Sequence, residues 1–320
     1  MVRTKMMTAA AEDTALPGAD ADRLRVAIVV CFLDEEALLP TFLASLAAQT
    51  VPPEQVLLVD DGSRDDSFAL AAAFAAEHPW ARALRRPQRP QEGDRLVSAA
   101  ELRAFQWGVE QLAEPWDVVC KMDADLDLTA TLVARAREAL AADPGLGMVG
   151  SYLRARHPDG VLRREPHPEV HVRGPNEFFR RACFEQISPL PAILGWDTID
   201  ELRARRRGWR TRSLELPEGD VVHLRPTGMH GGRLRMWRRH GRCAYGAGTH
   251  PLAILVGGLS RARMRPYGLS GLAYVWGWAW AALRRVPRAD ADTRRHARTE
   301  DVARLRAAFR RSAARVDPRG

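Results

Sequence analysis

Trp116-Asp117-Val118-Val119-Cys120-Lys121-Met122-Asp123-Ala124-Asp125 is the stretch on which the fold turns. Its apolar first half, Trp116 to Lys121, reads as a buried strand, and two carboxylates at i and i+2 come straight off its end. The same grammar repeats on either side. Arg25 to Phe32 and Gln55 to Val59 are strand-length apolar runs followed by Asp34-Glu35-Glu36 and by Asp60-Asp61-Gly62-Ser63, and Leu146 to Ser151 is a further strand. Between them lie helical spacings: Leu38, Leu39, Phe42, Leu43 and Leu46, with Pro40 in the first turn; then Phe68, Ala71, Ala72 and Ala75 behind Ser63, Asp65 and Asp66. Ser98 and Glu101 form a capping-box pattern before Leu102, Phe105, Val109 and Leu112, and Thr129 is the expected cap for Leu132, Val133, Ala136 and Leu140. Strands alternating with helices predict an α/β fold with a mostly parallel, Rossmann-type sheet covered on both faces.

In such sheets ligands bind beyond the carboxyl ends of the strands, where these acids collect. Acidic residues also favour helix N-termini, which accounts for Glu36, Asp65 and Asp66. It accounts poorly for Asp123 and Asp125, which precede the cap Thr129. Two carboxylates this close need a divalent cation or a strong donor, and hard oxygens suit Mg²⁺ or Mn²⁺, which also bridge diphosphate oxygens. No Gly-x-Gly-x-x-Gly or P-loop pattern occurs, so a cation is the natural agent to hold a nucleotide diphosphate.

These motifs resemble the N-terminal half of family-2 glycosyltransferases, which have the GT-A fold. Further matches follow in order: Ala104-Phe105-Gln106-Trp107-Gly108, then Gly174-Pro175-Asn176-Glu177-Phe178-Phe179-Arg180-Arg181, then Gly195-Trp196-Asp197 with Leu202, Arg205 and Gly208-Trp209. The resemblance covers about residues 25–245 and implies a nucleotide-sugar site. Asp61 would accept a hydrogen bond from the base, with Glu35 near base or ribose, Arg103 close to the nucleotide, and Cys31 and Leu33 in the loop where relatives place Pro and Tyr. Asp123 would contact ribose or metal, Asp125 would hold the metal, and Asp197 would be the general base, with Asp200 its rival. His223 would be either a third metal ligand or a strand-end histidine facing solvent or phosphate. Arg180 and Arg181 would meet leaving phosphate or an anionic acceptor, or form a solvated basic face.

The implied reaction is inverting, metal-dependent transfer from a nucleotide-diphospho-sugar, UDP-sugar being commonest, to a glycan or lipid-linked acceptor, as in cell-surface polysaccharide or glycolipid synthesis. The processive Gln-x-x-Arg-Trp signature is absent; Arg233-Leu234-Arg235-Met236-Trp237 only echoes it, which favours one sugar per encounter. A polyprenyl-phosphate sugar transferase is the nearest alternative. A nucleotidyltransferase would need a basic Gly-rich first loop, and the loop here is acidic; a non-enzymatic module on an anionic surface is the third reading.

The composition fits a globular chain: 320 residues, 46% hydrophobic and 28% charged. Its net charge of +8 is uneven, for residues 261–320 carry 15 Arg against 5 acids and residues 1–260 sum to −2. That tail argues for a local anionic partner such as a membrane surface, or reflects a chain that is simply Arg-rich, with only Lys5 and Lys121 as lysines. The segment 266–283 has no charged residue, is flanked by Arg261, Arg263, Arg265, Arg284, Arg285 and Arg288, and carries Trp276, Trp278 and Trp280. Its 18 residues reach the lower limit of about 17–25 for a spanning helix; interfacial and ordinary core helices are the alternatives. Scattered Cys31, Cys120, Cys183 and Cys243 suggest buried thiols in a reducing compartment. The expected organisation is a disordered lead-in (1–23), a GT-A domain (24–245, with a nucleotide half 24–152 and an acceptor half 153–245) and a basic helical extension (246–320). The expected location is the cytoplasm, at the inner face of the cell membrane. Nucleic acid is disfavoured because the tryptophans form a charge-free block rather than interleaving with arginines.

Overall fold

The computed structural model describes residues 24–87, 95–156, 161–225 and 232–316; the expected lead-in 1–23 lies outside the described residues. In chain order the elements are β1 (Val26–Phe32), α1 (Leu39–Ala47), β2 (Gln55–Asp60), α2 (Ser67–Glu77), β3 (Ala81–Arg85), α3 (Ala100–Glu110), β4 (Val118–Asp123) and β5 (Leu126–Asp127). Then come α4 (Leu132–Ala142), β6 (Leu146–Ser151), β7 (Leu153–Arg156), β8 (Leu162–Arg164), β9 (Asn176–Arg180), α5 (Arg181–Ile187), α6 (Trp196–Arg206), β10 (Arg210–Leu214) and β11 (Val221–His223). Four helices close the chain: α7 (Arg233–Ala247), α8 (Pro251–Arg261), α9 (Leu269–Leu283) and α10 (Ala291–Val316).

The main sheet runs β10-β6-β9-β4-β1-β2-β3. It is parallel as expected except for β9, which lies antiparallel between β4 and β6. A smaller sheet, β5-β11-β7-β8, sits beside it. β1 shows why the strands read as unbroken apolar runs. Ile28 and Val30 pack on one face with Phe42, Leu46 and Leu132, while Ala27 and Val29 pack on the other with Leu102, Phe105 and Phe179. Neither β3 nor β9 was apparent from the sequence pattern.

Two expected caps do not form. Glu101 pairs with Lys121 instead of closing a capping box, and α3 begins after Ala99 in the left-handed region. Thr129 Oγ1 makes no hydrogen bond among the described residues; Gln49 serves the start of α4 from a distance, accepting from Val133 N at 3.1 Å and donating to the Thr129 carbonyl at 2.9 Å.

The C-terminal part is helical, as the composition implied. No described helix is long and apolar enough to cross a membrane. α9 has 15 residues, about 22 Å of helix against a hydrocarbon core of about 30 Å. α7 crosses α9 at a backbone-to-backbone approach that only glycine allows: a Cβ on Gly241 would stand 2.0 Å from the Tyr274 carbonyl oxygen, and one on Gly277 2.1 Å from that of Arg238. Two residues beyond this crossing α7 leans on α6, where a Cβ on Gly195 would come 2.8 Å from Cys243 Cβ. Gly241→Ala adds helix propensity yet forces the crossing apart, so urea titration should find it less stable by about 1–3 kcal/mol. A stabilised variant would contradict the crossing.

Candidate active site

The parallel register sets the carboxylates side by side. Cys31 on β1 pairs with Asp123 on β4, and Phe32 with Asp60 on β2, so the acids beyond these strands share one edge of the sheet. Asp60 is buried and spent on structure: its carboxylate accepts from Ser63 N at 2.8 Å and from Arg85 Nε at 2.9 Å. Its neighbour Asp61 meets Arg86 at 2.7 Å and Arg95 at 2.5 Å. Asp34 accepts from Arg64 N and Glu36 from Asp66 N, tying the first loop to the second. Leu33 follows β1, half-buried, and burial pushes the Cys31 thiol well up, so it is a neutral lining group.

Beyond β4 the chain turns into β5, and β11 returns antiparallel to it with His223 opposite Leu126. The Leu224 N–H donates to the Asp125 carbonyl at 2.9 Å, completing the turn. This brings Asp123, Asp125 and His223 together, with one ligand atom from each within 4.8 Å of the others. His223 Nε2 lies 3.2 Å from Asp125, and Arg225 Nε donates to the same carboxylate at 3.1 Å while its other arm holds Glu35. Burial acts to raise the Asp125 carboxyl, but His223 and then Arg225 outweigh it and hold it below the ordinary value. For Glu35 burial wins over Arg225, and its pKa lies above normal. Two carboxylates and an imidazole form a hard oxygen–nitrogen donor set that fits Mn²⁺ or Mg²⁺.

Lys121 joins this group to the next. It is buried in the apolar strand, where it pairs with Asp123 and Glu101 and donates to the Gly174 carbonyl at 2.9 Å. Burial would lower the pKa of its ammonium, and the charges of Asp123 and Glu101 more than reverse that. Glu101 is pushed up to about 7, by desolvation first and then by Asp123. Gly174 also lies against Asp197, since a Cβ there would stand 3.2 Å from Asp197 Oδ2. Asp197, in the first turn of α6, is half-exposed; burial raises its pKa against the pull of His171 and Lys121. Asp200, the rival, is fully buried, and its Oδ1 accepts from Glu201 N. Its Oδ2 and both Glu177 oxygens have no hydrogen-bond partner among the described residues. Burial first, then neighbouring carboxylates, push both acids well up.

The structure does not bring Arg180 and Arg181 to this group. Arg180 pairs with Val118 at the opposite end of β4, about 15 Å from Asp123, and its guanidinium donates to the carbonyls of Leu140, Asp143 and Leu146. Arg181 binds Glu114 and Glu185. Arg103 is exposed on α3, and its side chain makes no hydrogen bond or ion pair among the described residues. Lys121 and Glu101 were missed, although one signal existed: a lysine inside an apolar strand of a chain that otherwise uses arginine for its cations.

Comparisons with known proteins bear on the fold and the family. An undecaprenyl-phosphate mannosyltransferase of Micrococcus luteus is 26% identical over 268 residues, covering 82% of this chain and 98% of that protein. The mannosyltransferase PcManGT of Pyrobaculum calidifontis, solved with GDP-Man and Mn²⁺, superposes with a TM-score of 0.57 at 19% identity, over 82% of this chain and 88% of its own. Residues 1–349 of S. aureus TarS, solved with UDP, give 0.50 at 13% identity over 82% and 72%. At such identities these likenesses speak for the GT-A fold alone. The family model for glycosyl transferase family 2 matches residues 27–188, from the second residue of β1 through the first residue after α5, and the chain belongs to that family.

Proposed function

We propose that this glycosyltransferase moves a single sugar from a nucleotide-diphospho-sugar to a glycan or lipid-linked acceptor, with inversion at the anomeric carbon and with Asp197 as general base. The observation that supports the reading is the chain of contacts from Asp125 through Asp123 and Lys121 to Gly174 and Asp197, which links a group that could hold a cation to a second, half-exposed carboxylate. Asp61, Glu35, Cys31 and Leu33 form the base and ribose side, and Asp123 faces the ribose or the metal. Mn²⁺ or Mg²⁺ held by Asp123, Asp125 and His223 would supply positive charge against the departing diphosphate. Asp197 takes the proton from the acceptor hydroxyl as its oxygen bonds to the anomeric carbon and the bond to the diphosphate breaks. Lys121 fixes Asp123 and, through Gly174, the loop that borders the base. A second reading, a polyprenyl-phosphate sugar transferase, is favoured by the Micrococcus luteus relative, which this chain matches almost from end to end. Side-by-side assays with a polyprenyl phosphate and with an oligosaccharide separate the two. In either case we propose that the enzyme works at the inner face of the cell membrane, in polysaccharide or glycolipid synthesis.

Asp197→Asn should lower kcat by about 10²–10⁴-fold while leaving donor affinity intact, measured by single-turnover kinetics and equilibrium binding. Near-normal turnover would remove Asp197 from its role. Because the base acts deprotonated and burial raises its pKa, the acidic limb of the kcat profile should lie above the ordinary aspartate value of about 3.9. A thermal-shift series with UDP, GDP and dTDP, each with and without Mn²⁺, should give a metal-dependent stabilisation that Asp125→Ala abolishes and His223→Ala weakens.

A further inference from the structure

The three-helix C-terminal face carries two features that the transfer chemistry does not use. The first is an apolar surface. On α8, Leu252, Leu255, Val256 and Leu259 recur at helical spacing and are exposed; on α9, Leu269, Leu272, Trp276 and Leu283 do the same, with Leu272 67% and Leu283 78% exposed. α8 packs against α9 with Gly258 and Gly271 at the contact, so the two stripes adjoin. Exposed Arg263 and Arg265 precede α9, and exposed Arg284, Arg285 and Arg288 follow it.

The second is a cavity of about 250 Å³ between α7 and α9, lined by Arg235, Arg238, Arg239, Arg242, Gly277 and Trp280. The arginines stand at i, i+3, i+4 and i+7 and share one face of α7. Arg235, Arg238 and Arg242 have no carboxylate partner among the described residues, and the buried Arg242 Nε makes no hydrogen bond. Trp280 receives the Arg242 guanidinium at 5.1 Å and that of Arg284 at 5.8 Å. By helical geometry Trp280 lies between buried Gly277, which faces α7, and the exposed line of Leu269, Trp276 and Leu283. The cavity therefore opens beside the apolar stripe, with an indole at the border.

We propose that the α8–α9 face lies on an anionic lipid bilayer and that the arginine cavity takes the phosphate of a lipid in it. Guanidinium groups bind phosphate oxygens in pairs, an indole suits the headgroup level, and apolar stripes rimmed by arginine match the interfacial layer in both polarity and charge. A second copy of the chain is a poorer occupant, because twofold pairing through this face would set arginine against arginine. The proposal draws on the transferase reading only in that such a lipid would present an acceptor; lipid binding is separable from donor binding.

The test is co-sedimentation of the full chain with phosphatidylcholine vesicles, with and without phosphatidylglycerol, run beside the nucleoside diphosphate–Mn²⁺ melt. Wild type should sediment strongly only with the anionic vesicles. Arg235→Glu/Arg238→Glu, both at exposed positions, should lower the partition coefficient about tenfold or more, and Leu272→Glu/Trp276→Glu should abolish sedimentation, with the melt shift unchanged in each. Equal binding to neutral vesicles overturns the anionic bilayer as partner, and wild-type sedimentation of Arg235→Glu/Arg238→Glu overturns the phosphate site. Thermal stabilisation by soluble glycerol 3-phosphate without vesicle binding overturns the lipid as the source of the phosphate. A dimer in lipid-free buffer that Leu272→Glu/Trp276→Glu dissociates overturns the bilayer as occupant. Loss of vesicle binding with the melt shift kept refutes only this proposal, whereas loss of the shift with vesicle binding kept refutes only the transferase reading.

Discussion

Glu35, Asp61, Asp123 and Asp125 stand along one edge of the sheet, and carboxylates so crowded stay ionised only where cations answer them. The surrounding elements supply those cations. Arg86 and Arg95 meet Asp61, Lys121 meets Asp123, and Arg225 with His223 meets Asp125. Lys121 is the most constrained of them, since it reaches its partners from inside the sheet and its desolvation is offset only while both Asp123 and Glu101 remain beside it. The same ammonium holds the Gly174 carbonyl, so the spacing between the two halves of the cleft follows from this one buried charge.

Beneath the cleft the opposite solution operates. Among the described residues Glu177 and Asp200 have no cation at hydrogen-bond distance, and burial pushes both carboxyls well up. The acids along the edge are thus met by cations, whereas Glu177 and Asp200 are left to burial.

Much of this was legible in the residues. The apolar runs gave the parallel strands, and Asp123-Ala124-Asp125 pointed to the cation group because no helix start could claim both acids. His223 came from the family likeness, and only the return of β11 to β5 explains its position. The rest depended on tertiary partners that no local pattern carries. Glu101 has every local reason to cap α3, yet Lys121 outbids the cap. Arg180 matches the family segment, but β9 runs antiparallel and points that end of the motif away from the acids, into three carbonyls between α4 and β6. Alternation in β9 was invisible because it is buried on both faces.

The glycine crossing of α7 with α9 has one more implication. α7 touches Gly195, the residue that starts the helix of Asp197, and at its middle is locked to α9 with no side chain in between. A rod held so closely against both neighbours has little slack, so the start of α6 keeps a fixed height above the α8–α9 surface. Under the transfer and lipid-binding proposals above, that fixed height would act as a ruler and choose acceptors by their reach.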